Sequence, residues 1–349
     1  MFLDTPLPPL PLPADDTPLA TMPEQPLNLY LRYIIPGETK AIQDEGPNRK
    51  KISNARRNIR IVAGFLANPV NEKARICLSV EIEGCQGSYE RLVALGQFYY
   101  DHYIQHFLSA KCLIDTLQNN PGVENPALVR DGYRCMLTEK YDTDTFIRYP
   151  GKFPSGPDFW LNITCCAHII PVSLGRFTLA DDPQAKISLA KGFRSVLRRF
   201  GYSHEWIETK GGNCHRPSNL LTLSSNAQAI MYGLRLWFEK TDEPHTYDVK
   251  THPPEFRKGF ELPAQVTFKV REDLGIPGIL PPEEGGMDLP DPDFLALHAT
   301  CCKVVRLVGA IEFPVDSVFG DSESRHVLAQ DGSSADVLFD ELSRLVDPL

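Results

Sequence analysis

Apolar residues repeat along this chain with two different periods, and each change of period marks a new element. In "SYERLVALGQFYYDHYIQHFLSAKCLIDTL" (88–117), Leu92, Leu95, Tyr99, Tyr103 and either His106 or Phe107 recur at three-to-four spacing, which predicts a helix. Ahead of it, Leu27, Leu29 and Leu31 alternate and predict a strand, so 27–119 reads as a mixed α/β region. Helical spacing returns over Lys186–Phe200, where Leu189, Phe193, Val196, Leu197 and Phe200 share one face and Lys191, Arg194 and Arg198 the other. Asp182-Pro183 supplies that helix with a cap and first turn, and Gly201 stops it. A further helix is signalled by Asp291 as cap, Pro292 in the first turn, apolar Phe294, Leu297, Cys301, Val304 and Val308, and Gly309 as stop. The segment "SSADVLFDELSRLV" (333–346) predicts a short amphipathic helix after a polar linker.

Between these helices the elements are shorter. "RDGYRCMLT" places a turn at Asp131-Gly132 before a brief strand, and "LNITCCAHIIP" is a second strand ending at Pro171. "GGNCHRPSNLLTLSSNAQAIMYGLRLWFE" reads as a loop to Ser218, an apolar segment at Leu220–Leu223, and a short helix capped by Ser224 or Ser225 and ended by Gly233. Leu234, Leu236 and Phe238 then alternate as a strand, and the stripe Leu234, Trp237 and Phe238 is expected in the core. The fold class is therefore α+β. Residues 1–26 form a Pro-rich, polyproline or disordered arm, 27–119 the mixed α/β region, 120–255 the strand–loop–helix domain, and 256–349 a C-terminal extension of helices and linker.

At 349 residues, 42% hydrophobic and 23% charged, the chain has the composition of a globular protein with a sizeable core. It has no run of about 18 apolar residues, which argues against a membrane partner. Its acidic, Pro-rich start does not resemble a secretory signal. Nine cysteines, an odd count with vicinal pairs at Cys165-Cys166 and Cys301-Cys302 and no C-x-x-C spacing, read as reduced thiols of an intracellular protein of cytoplasm or nucleus. A net charge of -9 excludes dense, nonspecific coating of nucleic acid. It leaves room for two local basic patches, Asn48–Arg60 and the outer face of Lys186–Phe200. His102 and His106, four apart, have no third ligand nearby and are read as surface or packing histidines.

The chemistry that this pattern can carry sits in "TCCAHIIPVSLG". Cutting a phosphodiester needs a base for water, a divalent cation on the phosphate, and groups that orient both. An imidazole with an unperturbed pKa near 6.5 is a proton acceptor at neutral pH. His168 at a strand end, Asn219 in the following loop and Gln228 on the short helix come in an order that builds such a frame. Each also has a plainer reading, His168 as a satisfied strand-end histidine and Asn219 as a turn cap after Pro217. Cys135, Cys165 and Cys166 read as small buried residues.

The segments "LVRDGYRCMLTEKYD", "CCAHIIPVSL" and "RPSNLLTLSSNAQAIMYGLRLWFE" resemble the HNH endonuclease domain, in the variant found in uncharacterised fungal proteins. "LPDPDFLALHATCCKVV" is similar to the segment C-terminal to that domain in the same proteins. The resemblance implies a ββα-metal module between the N-terminal region and the helical C-terminal region, and hydrolysis of nucleic acid, DNA in the first instance, with Mg or a similar divalent ion. It makes His168 the general base and Asn219 the residue that orients it or helps the metal. The third position departs from the family: Gln228 stands where a histidine is expected, Tyr232 where an acid is, and Ala167 precedes His168. His215 is a replacement ligand beside Asn219 and Gln228, and Arg216, Lys191, Arg194 and Arg198 are the candidates for phosphate contact. The alternative implied by the altered positions is a degenerate HNH fold that binds nucleic acid or protein without cutting.

Overall fold

Three helices of the N-terminal part begin in the same way, each with a short polar side chain accepting the backbone N–H three residues on. Ser53 accepts from Arg56, Asn71 from Ala74 at 2.8 Å, and Ser88 from Arg91 at 3.3 Å. The computed structural model describes residues 22–45, 52–109, 126–157, 159–171, 192–203, 216–271, 274–276 and 288–308. Its N-terminal part comprises α1 (Glu24–Leu29), α2 (Ile35–Glu45), α3 (Asn54–Ala67), α4 (Glu72–Gly84), α5 (Tyr89–Tyr99) and α6 (Gln105–Ser109). Single π turns at Tyr30–Ile34 and Tyr100–Ile104 join α1 to α2 and α5 to α6.

The strand expected at Leu27, Leu29 and Leu31 is corrected to helix, and with it the mixed α/β reading of 27–119, because every element described in that range is helical. The alternating leucines hide a three-to-four pattern: Pro26, Leu29, Tyr30 and Ile34 are the buried positions, and Leu31 faces outward. Two members of the first basic patch are also corrected, while Arg49, Lys50 and Lys51 lie outside the described residues. Arg56 and Arg60 of "NRKKISNARRNIR" are buried, Arg56 against Glu38 (3.2 Å) and Glu45 (3.4 Å), Arg60 against Glu38. Their charge is spent holding α3 to α2 and does not reach the surface.

α3 is the hub, packed by α2, α4, α5 and the last helix. Its approach to α5 is close enough to require glycine. A Cβ on Gly96 would lie 2.0 Å from the Asn58 carbonyl oxygen.

The rest of the chain gives α7 (Pro126–Arg130), β1 (Tyr141–Asp142), α8 (Thr143–Arg148), β2 (Leu161–Asn162), β3 (Thr164–His168), α9 (192–199), β4 (Leu220–Ser224), α10 (Ser225–Tyr232), β5 (Leu236–Lys240), β6 (Thr246–Thr251), α11 (Glu255–Gly259), β7 (Gln265–Thr267) and α12 (Pro292–Val308). β1 and β2 pair in parallel, β3 and β4 form an antiparallel pair, and β5–β6–β7 form an antiparallel meander. The chain is thus α+β, with small sheets among helices. α12 lies against both α3 and β5, and Phe294, Leu297, Cys301, Val304 and Val308 are all buried along it. Asp291 caps it through the N–H groups of Asp293 and Phe294. Leu234, Trp237 and Phe238 are in the core as expected.

Other local signals resolve in more detail than their motifs gave. The brief strand after Asp131-Gly132 is instead a tight reversal: Gly132 and Tyr133 both take positive φ (63° and 56°), and only Arg134 bridges to Tyr141. Gly201 ends α9 with φ 84°. After α10 the left-handed residue is Leu234 (φ 55°), not Gly233. Among the described residues no helix is long and apolar enough to cross a membrane. The Pro-rich arm up to residue 21, the helix start at Asp182-Pro183 and the helix at 333–346 lie outside the described residues.

His106 and His298 are buried packing histidines. His106 meets Phe193 edge-on at 5.1 Å, and His298 meets Phe107 at 5.9 Å. Burial holds each neutral, with the pKa brought down to about 4, and the neighbouring His102 adds to the effect on His106.

This packing can be tested at a glycine and at the two histidines. Gly96→Ala loses at least about 2 kcal/mol in urea unfolding, since backbone must move, whereas Gly84→Ala, with nothing near its Cβ, changes stability by about 0.5–1 kcal/mol in the favourable direction. A pair of equal effects would contradict the close packing of α5 on α3. For the histidines, the unfolded chain takes up protons near pH 6.5 and the folded chain only near 4. Stability is therefore intact above pH 6.5 and falls as pH drops toward 4, by up to about 3 kcal/mol per histidine. His106→Gln and His298→Gln each flatten that decline in a pH series of urea midpoints, and an unchanged slope in both variants would overturn the assignment.

Candidate functional site

The middle of the chain folds into a strand, a second strand and a helix, and the sequence explains each turn of it. Thr164–His168 runs antiparallel to Leu220–Ser224, with His168 opposite Leu220 and Thr164 opposite Ser224. Ser224 both ends the second strand and starts α10, its hydroxyl accepting the Ala227 N–H at 3.3 Å. The helix then turns its inner face to β3. Gln228 donates its amide N–H to the Cys166 carbonyl at 3.1 Å, and one turn later the Tyr232 hydroxyl accepts the His168 backbone N–H at 3.0 Å.

Past the last ladder pair, the Ile169 N–H donates to the Asn219 carbonyl at 2.9 Å. The Asn219 side chain then closes on Ile170 from both ends: Oδ1 accepts the Ile170 N–H at 2.8 Å, and Nδ2 donates to the Ile170 carbonyl at 3.0 Å. This two-point clamp fixes the backbone just beyond His168. His168 and Asn219 are both buried, at 4% and 2% exposed, and they share one end of the hairpin. With Gln228, which bonds the same strand at Cys166, they are the sequence-predicted residues that the fold brings to this hairpin. Asn219 positions the strand end through the Ile170 backbone, 49 residues away in sequence, rather than through the local turn after Pro217.

The far edge of the hairpin is held by a pair that sequence reasoning passed over. Arg130 and Asp131 are fully buried and bonded in two places, Nε to Oδ1 at 2.7 Å and an NH2 group to Oδ2 at 2.9 Å. The guanidinium also donates to the carbonyls of Pro217 (2.7 Å), Leu220 (2.8 Å) and Asp288 (3.1 Å), while Asp131 accepts the Thr222 N–H at 3.2 Å. Cys135 is buried as expected, yet its sulfur accepts the N–H groups of Ser224 (3.1 Å) and Thr138 (3.4 Å). The available signal was two adjacent opposite charges between the apolar Leu128-Val129 and the Gly132 turn.

The remaining predicted residues are dispersed. Arg194 and Arg198 are exposed on α9, whose Phe193 and Phe200 pack on Tyr103, Phe107, Phe65 and Tyr99 of the N-terminal helices. They are presented from that helical layer. Arg216 is half-buried, and its carbonyl accepts the Asn219 N–H at 2.9 Å. Lys191 and His215 lie outside the described residues.

The chemistry of the donors decides whether a cation fits here. Mg prefers anionic oxygen ligands in octahedral array. The hairpin end offers one imidazole and two carboxamides, one of them bonded to Ile170 at both ends and the other through its nitrogen to Cys166. The buried carboxylates that touch the hairpin are committed, Asp131 to Arg130 and Thr222, and Asp142 to the hydroxyls of Thr145 and Thr164. No group of three His, Cys, Asp or Glu able to hold a metal is found among the described residues. The described residues therefore do not fit a divalent cation.

The fold and site define a strand–strand–helix unit with His168 buried at one strand end, next to the Ile170 backbone that Asn219 clamps. No family model, curated protein or solved structure matches the chain.

The supports differ in energy. Arg130→Ala costs about 3–5 kcal/mol because it leaves Asp131 buried and unpaired, whereas Asn219→Ala costs about 1–3 kcal/mol for the two bonds to Ile170. Urea unfolding of the two variants tests the order, and an Arg130→Ala protein as stable as wild type would remove the pair from the argument.

Proposed function

We propose that this chain carries an HNH-like unit that engages nucleic acid without metal-dependent cleavage. The observation that carries the reading is the clamp between Asn219 and Ile170 beside His168, inside a strand–strand–helix frame in the order that the resemblance implies. That frame supports the family. The donor set, with two carboxamides already hydrogen-bonded and no free carboxylate beside the imidazole among the described residues, supports a binding role over hydrolysis.

Phosphate contact falls to the exposed Arg194 and Arg198 and to Arg216 ahead of the clamp. In a chain of net charge -9 such contact is local, so affinity falls steeply with salt. The clamp itself favours one second reading. A strand end fixed this firmly is what a general base needs, and the His168 imidazole taking a proton from water is the step that hydrolysis would use.

A plasmid-nicking assay with Mg or Mn, run on wild type and His168→Ala beside a DNA-binding salt series, separates the two. The expected outcome is no nicking above the His168→Ala level, with binding whose logarithm falls linearly with log salt. Arg194→Ala/Arg198→Ala lowers that slope by about 2, one per phosphate contact removed. Metal-dependent nicking that disappears in His168→Ala would establish the hydrolytic reading instead, and absence of any binding would overturn the nucleic-acid assignment.

A further inference from the structure

We infer that Gln228 and Tyr232 fasten α10 to β3 in place of a cation, so that the strand–strand–helix unit stays closed without metal. The inference rests on the HNH-like reading above and deepens it. In a metal-holding unit of this shape the ion joins the helix to the hairpin, whereas here two side chains do so directly.

The register shows why these two positions serve. The Ile169 N–H bonds across to Asn219, so Cys165, Ala167 and Ile169 direct their backbone groups toward β4. Cys166 and His168 therefore turn theirs to the opposite, open edge of β3. An open strand edge leaves N–H and C=O groups in need of partners. Gln228 and Tyr232, four residues apart, lie on one face of α10 and reach that edge together. Gln228 donates to the Cys166 carbonyl, and Tyr232 accepts from the His168 N–H. A histidine at 228 facing a metal could not also donate to the carbonyl through that same nitrogen, and an aspartate at 232 would be too short to repeat the phenol's reach. The substitutions that remove ligands are the same ones that supply the fasteners.

Thermal unfolding of the full chain tests this. With EDTA, excess Mg or excess Mn, the wild-type Tm stays within about 1 °C, since a ligand stabilises only by binding the folded state. Tyr232→Phe and Gln228→Leu each lower Tm by about 2–4 °C, equally with EDTA and with metal. A metal-induced rise of several degrees in wild type that is absent in His168→Ala would overturn the inference, as would full wild-type stability in both fastener variants. Failure of DNA binding, by contrast, would strike the proposed function and leave these temperatures unaffected.

Discussion

A guanidinium that has lost all contact with water has to be repaid in hydrogen bonds, and Arg130 shows where that repayment is made. Its partners are the Asp131 carboxylate and the carbonyls of Pro217, Leu220 and Asp288. Removing one side of such a pair costs several kcal/mol, because the other charge remains buried. The partners are also far apart in sequence: the turn after α7, the start of β4 and the approach to α12. One ion pair thereby sets where the hairpin begins and where the last helix enters, and the Asp291 N–H bonding to the Ser218 carbonyl at 2.8 Å repeats the second tie through backbone alone.

A two-stranded sheet is marginal in water because half of its backbone groups face outward. Here both edges find partners. On β4, Arg130, Asp131, Met136 and Cys135 meet the outward groups of Leu220, Thr222 and Ser224. On β3, Gln228 and Tyr232 meet those of Cys166 and His168. The imidazole of His168 thus stands at a corner where the helix, the clamp and the ladder converge, with little backbone freedom. The same contacts hold Asn219 Oδ1 on the Ile170 N–H and Gln228, by its nitrogen, on the Cys166 carbonyl.

How much is legible in the sequence depends on how local each signal is. The cap at Ser224, the cap and apolar face of α12, and the stop at Gly201 depend on neighbours within a turn, and the structure repeats them. The pairing of His168 with the Asn219 region is legible as an order of motifs, because a hairpin needs only two strands and a return. The failures share one cause. Leu27, Leu29 and Leu31 alternate, yet their environment is set by α4 packing on α1, a contact some fifty residues distant. The arginines at 56 and 60 look like surface charge until Glu38 and Glu45 arrive from another helix. Tyr232 reads in sequence as the loss of an acid, and its role depends on which way the His168 amide points, a matter of register that composition does not encode.

The buried charges also bear on what an acidic protein can bind. Arg56 and Arg60 are matched by Glu38 and Glu45, and Arg130 by Asp131, so each cluster is neutral and adds nothing to the surface field. The excess negative charge of the chain is therefore carried outside these clusters, where a polyanion would meet it. Attraction to phosphate must come from a few cations close to the contact, within about 8–10 Å at physiological salt, beyond which screening removes both the help and the hindrance. Arg194 and Arg198 stand on the outward face of α9, while Arg199, next to Arg198, is drawn back to Glu81 at 2.7 Å. The helix thus divides its arginines by face, with Arg199 on Glu81 and with Arg194 and Arg198 exposed.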